Sequence, residues 1–527
     1  MYSQFQIHGN SGERGLVSHH PVDSNLKRCP RTSKILPRIY RRLVVAGIFL
    51  LSFTGLHSVA HSETYYLSPS GSNADAGTSA EPWKTFSFTI PKLQPGDTLI
   101  LKDGTYDGSN SGYPNIRCGT RRGQARNGTR TSPITIKAEH ERQAFISGTG
   151  SRPAFYISGC SYWKVEGIHA RSQDNRSFSG RGGHVFYVIN SSNLTFNRLL
   201  LHHNNRYGNT HLLLVWKSNN ILVEESEFYS FHRHSIIFAA TNNSVARRNY
   251  ANSRGHADIS GGYKSSGRTR GQAGLTIYPG SNNIGENNIS EGQRSGVSVA
   301  ASGRTIGNRF LGNISLNDDF GYLLMARGSG TSRMPRDTVI ENTVVVNSRW
   351  GGIFARGTKN TQIKNVSVIG GDSGIVADFQ SINPGDGFYS IFTVNALVNN
   401  IRGVGFKMAN QDEFSNRYPS SYNPRTDFFP HFNYFNARRD NPRLGSCKVF
   451  IPRTSTVKGR GERGEDIGAN ILYRYENGVL TSQPLWNPQT GAFPGGAIVA
   501  GINDISGSSL FDVHRRLNVN TNGCSLP

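Results

Sequence analysis

From residue 183 onward the chain repeats one pattern, a short apolar run, a polar turn, then a second short run. The first runs are GHVFYV at 183, THLLLVW at 210, RHSIIFA at 233, AGLTIYP at 273, SGVSVA at 295, FGYLLMA at 320, GGIFAR at 351 and SGIVADF at 373. Second runs follow in SNNILVEESEFYS, TNNSVARRNYANS, SNNIGENNIS, RDTVIENTVVVNS and KNTQIKNVSVIGG. The markers His184, His211, His234, Gly274, Gly296, Gly321, Gly352 and Gly374 are 27, 23, 40, 22, 25, 31 and 22 residues apart. The short gaps define a coil of about 22 residues, and the long ones are a coil plus an insertion. Such a unit cannot bury a core alone, so stacked parallel coils are expected.

Strand periodicity then assigns faces. The residue after each marker reads Val185, Leu212, Ser235, Leu275, Val297, Tyr322, Ile353 and Ile375. The third reads Tyr187, Leu214, Ile237, Ile277, Val299, Leu324, Ala355 and Ala377. Both columns are expected to face inward. Asn249, Asn288, Asn342 and Asn365 fall at the second turn and are expected to form hydrogen-bonded ladders. Residues 411–527 break the period, become rich in aromatic residues and Pro, and are expected to cap the open end.

The N-terminus carries a different pattern. Arg38, Arg41 and Arg42 precede an apolar run from Leu43 to Leu56, followed by Ser58-Val59-Ala60. A basic flank, a short apolar core and a small-x-small exit make an export signal, and 14 residues are too few to span a bilayer comfortably. An uncleaved anchor and a twin-arginine signal at Arg41-Arg42 are the alternatives. The expected organisation is residues 1–62 as extension and signal, 63–410 as the coils, and 411–527 as the cap. After the signal there remain Cys118, Cys160, Cys447 and Cys524, an even number suited to an oxidising compartment. Of the three possible pairings, Cys118 with Cys160 and Cys447 with Cys524 keep each bridge within one end of the chain.

Charge narrows the partner. The whole chain carries +23, and beyond Ala60 there are 50 Lys and Arg against 33 Asp and Glu. An exported protein this basic suits a polyanion. No compact basic helix or interleaved aromatic motif marks a nucleic-acid module. No nucleotide-binding glycine loop, zinc-ligand spacing or nucleophile elbow is present either.

Residues 64–108, containing YYLSPSGSNADAGTSAEPWK and PGDTLILKDGTYDG, resemble the entry segment of secreted bacterial right-handed parallel β-helix proteins of the pectin-lyase-like superfamily. With the coils, the resemblance covers roughly residues 63–410. It implies an all-β, right-handed parallel β-helix. For activity it leaves a wide field of pectate and alginate lyases, uronan epimerases, polygalacturonase-like hydrolases, phage depolymerases and adhesins.

The repeat alignment puts His184, His211 and His234 in one outward-facing column, about 4.8 Å apart from coil to coil. Stacked imidazoles depress each other's protonation and stay neutral proton acceptors. The fourth residue after each marker places Tyr278 and Arg356 further along that face. The loop HHNNRYGNTH brings His202, His203, Arg206 and Tyr207, and the longest insertion brings Arg254, His256, Asp258, Tyr263, Lys264, Arg268 and Arg270. β-Elimination or C5 epimerisation of a uronate needs carboxylate neutralisation, a base and an acid. The expected roles are His211 or His234 as base, Tyr278 or Tyr207 as acid, and Arg233 and Arg206 on the carboxylate. His256, Lys264, Arg268, Arg270 and Arg356 are expected to hold substrate.

A plain packing ladder is the competing expectation for the three imidazoles. Asp318-Asp319 offers a hydrolase carboxylate pair or a Ca²⁺ site, the one cofactor the sequence raises. The companion Asn-Thr-Asp and Gly-His-Gly motifs of polygalacturonase-like sites are absent from the chain. A non-catalytic glycan binder is the third possibility. In each case a monomer is expected to meet an acidic polysaccharide, with no nucleic acid and no lasting membrane insertion.

Overall fold

A computed structural model describes residues 62–175, 183–207, 209–253, 271–327, 333–378, 391–399, 402, 406–409, 434–436, 442–444 and 449–485. Residues 1–61, where the export segment is expected, lie outside the described residues, as do Cys447, Cys524 and the insertion at 254–270. Among the described residues no helix is long and apolar enough to cross a membrane.

Three long parallel sheets run the length of the coils. In the described residues the first holds 12 strands from Thr64–Leu67 to Ile391–Val394, the second 12 from Gly104–Tyr106 to Tyr434–Asn436, and the third 11 from Asn115–Arg117 to Phe406–Ala409. Each coil contributes one strand to each sheet, so residues one coil apart in sequence become hydrogen-bonded neighbours. The result is the right-handed parallel β-helix that the repeat implies. Near its N-terminal end a single helical turn, Phe86–Thr89, drops Phe86 into the core beside Tyr106 at 5.6 Å between ring centroids.

The turns explain the Asn content. Between the first and second sheets, Arg198, Glu225, Arg248, Asn287, Asn342, Asn365 and Asn395 all take positive φ, between 49° and 56°. Asn tolerates this left-handed conformation best among residues with a side chain. One residue later the side chain turns inward, and there a true ladder forms. Asn249 Nδ2 donates to Asn288 Oδ1 at 3.0 Å, and Asn288 Nδ2 donates to Asn313 Oδ1 at 3.1 Å. Asn342 and Asn365, expected in that ladder, instead occupy the left-handed position and face the C-terminal segment. Asn342 exchanges hydrogen bonds of 2.9 and 2.6 Å with the Asn470 backbone.

The inward columns differ by one residue from the expected alignment in the histidine coils. Register places Phe186, Leu213, Ile236, Leu275, Val297, Tyr322, Ile353 and Ile375 in one row. Tyr187, Leu214 and Ile237, expected inside, form a separate apolar cluster with Trp216 on the outer side. The cause is a bend at the entry to the third sheet, where consecutive residues, Val185-Phe186 and Leu212-Leu213, both enter the core. Glycine fills the bend position in the later coils. A Cβ on Gly321 would lie 2.6 Å from both methyls of Val345.

The described part of the tail covers a flank rather than the open end. Val449, Phe450, Ala469, Ile471 and Leu485 pack on Leu200, Tyr229, Tyr250, Ile289, Ile314 and Val344, the outward apolar residues of the second sheet. At its far end the hairpin Tyr473–Glu476 and Val479–Pro484 locks onto charged turns. Glu476 pairs with Arg247 and, at 2.6 Å, with Arg248, while the Asn477 and Gly478 amides donate to buried Glu286. The Cys118–Cys160 disulfide is formed.

Candidate active site

The turn from the second to the third sheet collects seven of the chain's 16 histidines: His169, His184, His202, His203, His211, His232 and His234. Two pairs of strands build it. His169–Arg171 and Leu200–His202 pair side by side in the second sheet, and His211 pairs with His234 in the third.

His184, His211 and His234 do stack in one column, on the outer side beside Tyr187. Ring centroids are 5.2 and 5.0 Å apart, and His184 lies 5.2 Å from the Tyr187 ring. The rings are nevertheless buried, at 0, 5 and 8 % exposure. His184 Nδ1 accepts the His211 backbone N–H at 2.9 Å, which places the ring proton on Nε2. His234 Nδ1 meets Thr276 Oγ1 at 2.8 Å. His211 Nδ1 is buried without a hydrogen-bond partner. Burial first, then the charges of neighbouring imidazoles and Arg233, hold His211 well below the usual imidazole range. His234 is held down by burial, then by Arg233 and Arg327.

A second imidazole row lies across the same turn. His169 and His202 meet through Nε2 at 2.7 Å, and His202 and His203 through Nδ1 at 2.5 Å. Burial and the Arg142 and Arg171 charges bring His169 to about 4. His232 links the rows: its backbone N–H donates to Asn204 Oδ1 at 2.9 Å, and burial with Arg233 and Arg206 brings it to about 4. His169 escaped the repeat reading because its strand, His169–Arg171, precedes the first recognised coil, and His232 because it sits just ahead of the run that begins at Arg233.

The expected partners separate into near and far. Arg206 is at the corner but clamps Asp174, from Nε at 2.9 Å and Nη2 at 2.7 Å. Tyr207 follows it, its N–H on Asn205 Oδ1 at 2.9 Å. Arg233 donates to the side-chain carbonyls of Asn209 and, at 3.4 Å, Gln272. Tyr278 is five residues along from Ala273, which pairs with His234, so it stands ~16 Å from the column. It does not join His234 as an acid. Arg356 is farther still, at the end of strand Gly351–Arg356. His256, Lys264, Arg268 and Arg270 lie outside the described residues.

The expected cation pair, Asp318 and Asp319, has the Asp318 carboxylate already engaged by protein donors. Asp318 is fully buried, with Ser290 Oγ, Ser315 Oγ and the Gln293 N–H donating to it at 2.8, 2.6 and 2.9 Å. Burial pushes its carboxyl up to about 7. Ca²⁺ needs six to eight converging oxygens, whereas here hydroxyl and amide donors take both oxygens. Among the described residues, the grouping of three or more possible metal ligands is the exposed set Asp103, Glu139 and His140.

Residues 65–236 match the family model for the Pel9A-like, right handed beta helix region, a span that ends just past His234. This part of the right-handed β-helix is similar to that family. The chain is 25 % identical over 161 residues to pectate lyase L of Dickeya chrysanthemi, covering 28 % of this chain and 34 % of that one. Pectate lyase L of Dickeya dadantii is 26 % identical over 158 residues, with 28 and 34 % covered. The match spans about a third of the length of these curated relatives. Among solved structures, pectate lyase Pel9A aligns at 16 % identity and a TM-score of 0.37, over 66 % of this chain and 78 % of that one.

Proposed function

We propose that this chain is exported and acts on an acidic polysaccharide, removing the C5 proton of a uronate in β-elimination or epimerisation. Two things support the reading, the likeness to pectate lyases over the region that ends at the histidine corner and the corner's chemistry. The observation that carries it is His211, a neutral, stacked imidazole whose buried Nδ1 has no hydrogen-bond partner. Buried polar groups are almost always satisfied, and exceptions concentrate where a group is held ready for use. In this reading His211 takes the proton, Arg233 withdraws charge from the substrate carboxylate, and Tyr207 protonates the leaving oxygen or the opposite face. Arg206 positions the turn through Asp174.

A glycan binder without chemistry is the second reading, favoured by the burial of all three column rings. Glycoside hydrolysis is not carried forward, because Asp318 is closed in by its donors.

Incubation with polygalacturonate and with alginate separates these. Ultraviolet absorbance reports unsaturated ends, reducing-end assays report hydrolysis, and proton NMR reports inversion at C5. His211→Gln is expected to lower turnover by about 10²–10⁴ while the protein still folds. Unchanged turnover in that variant removes His211 from the mechanism, and retention without any product establishes the binder.

A further inference from the structure

We infer that Trp350, with Arg349 and Phe320, forms a distal subsite for an acidic sugar ring on the same edge of the third sheet as the histidine column. The inference rests on the proposed polysaccharide reading and deepens it.

Strand pairing places these groups in line. His211 pairs with His234, His234 with Ala273, Ala273 with Ser295, and Ser295 with Phe320. Phe320 therefore stands four coils from His211, ~19 Å along the axis. Trp350 immediately precedes Gly351, the partner of Phe320 in the next coil. Its row along the turn is Arg233, Gln272, Arg294, Asp319 and Trp350, and continues to Asp372, so the indole stands on the line that passes through the proposed carboxylate ligand.

The local chemistry selects an anionic sugar. Trp350 is 45 % exposed, more than any other aromatic residue among those described. Its ring is held edge-on to Phe320 at 5.4 Å, and Phe320 in turn packs on Phe354 at 5.2 Å. The backbone beneath is pinned to the previous coil, Arg349 N–H to Asp318 O at 2.9 Å and Trp350 N–H to Asp319 O at 2.8 Å. The indole is thus pre-oriented, and its open face costs little ordering when a ligand binds. The Arg349 guanidinium lies 5.5 Å from the indole centroid. A pyranose ring presents C–H groups to an indole face, and a uronate presents a carboxylate to the guanidinium beside it. A neutral apolar partner would leave Arg349 unused; a nucleic-acid base would stack equally well but finds no basic aromatic module around it.

The geometry also fixes a length requirement. A chain anchored at the histidine corner reaches Trp350 only when it is several rings long.

The test is calorimetric binding of oligogalacturonates and oligomannuronates from dimer to octamer, in a His211→Gln background that blocks consumption of the ligand. Affinity is expected to step up once the oligomer spans both places. Trp350→Ala is expected to remove that step, about ten-fold in dissociation constant. Arg349→Gln is expected to reduce the step for acidic oligomers and not for their carboxyl-reduced, neutral counterparts. An unchanged length profile in Trp350→Ala overturns the subsite, as does a loss that is equal at every length. Product formation from polymer by the unmutated protein, with an unchanged profile in the variant, leaves the active-site reading standing while the subsite falls. Failure of the unmutated protein both to bind and to convert these glycans removes both.

Discussion

At the scale of single residues, burial decides what each ionisable group can do. His211 is kept from protonation by its surroundings, so it remains a proton acceptor where an ordinary imidazole, near 6.5, has become charged. Turnover is therefore expected to persist as pH falls through 6.5 and to fail only well below it. Arg233→Gln removes a nearby cation and should shift that acid limb to higher pH, which a pH–rate profile reads directly. Asp318 works in the opposite sense. Its folded value of about 7 exceeds the ordinary carboxylate value, so the folded state holds a proton that the unfolded chain has lost. Stability from this group is then present at low pH and declines as pH rises from about 4 to 7. Asp318→Asn should flatten the slope in urea titrations across this range. The sequence showed Asp318 only as half of an acidic pair; that both its oxygens are taken depends on the Ser290 hydroxyl and the Gln293 amide reaching it from the preceding coil, together with Ser315 three residues before it.

At the scale of strands and turns, the Asn249–Asn288–Asn313 ladder holds successive coils in register. Asn288 donates to Asn313 and to the Ala246 carbonyl at 2.7 Å, and accepts from Asn249. Asn288→Ala leaves several buried groups without partners and should cost about 1–3 kcal/mol in urea unfolding. Much of this level was legible: the coil length, the existence of the third-sheet strands and the alignment of the five glycine-marked coils all follow from spacing. The histidine coils were misaligned by one residue because Ser235 and Gly274 share a bend that periodicity of two cannot represent. The same limit assigned Asn342 to the ladder, since sequence alone does not separate a left-handed turn residue from its inward neighbour.

At the scale of the whole molecule, the structure is closed laterally as well as by stacking. Residues 449–485 carry no periodicity, so nothing in the sequence showed that their apolar residues match the outward faces of Leu200, Tyr250 and Val344. A chain ending after Leu444 should expose that stripe, with strong binding of hydrophobic dyes and loss of solubility compared with the full chain. At the other end, the Cys118–Cys160 bridge spans 42 residues of the first coils. Its reduction should lower stability by about 2–4 kcal/mol, measured by urea unfolding with and without dithiothreitol.

Glu476 reaches Arg247 and Arg248 from 229 and 228 residues downstream. A polypeptide that emerges from its N-terminus can therefore stack coils as they are synthesised, with Glu224 and Glu225 already beside these two cations, yet the lateral contact from Glu476 forms only after some 228 further residues have been delivered. Throughout that interval the half-finished prism has one sticky side, so the yield of native protein is set by how quickly the last segment arrives, and by whatever shields that side meanwhile.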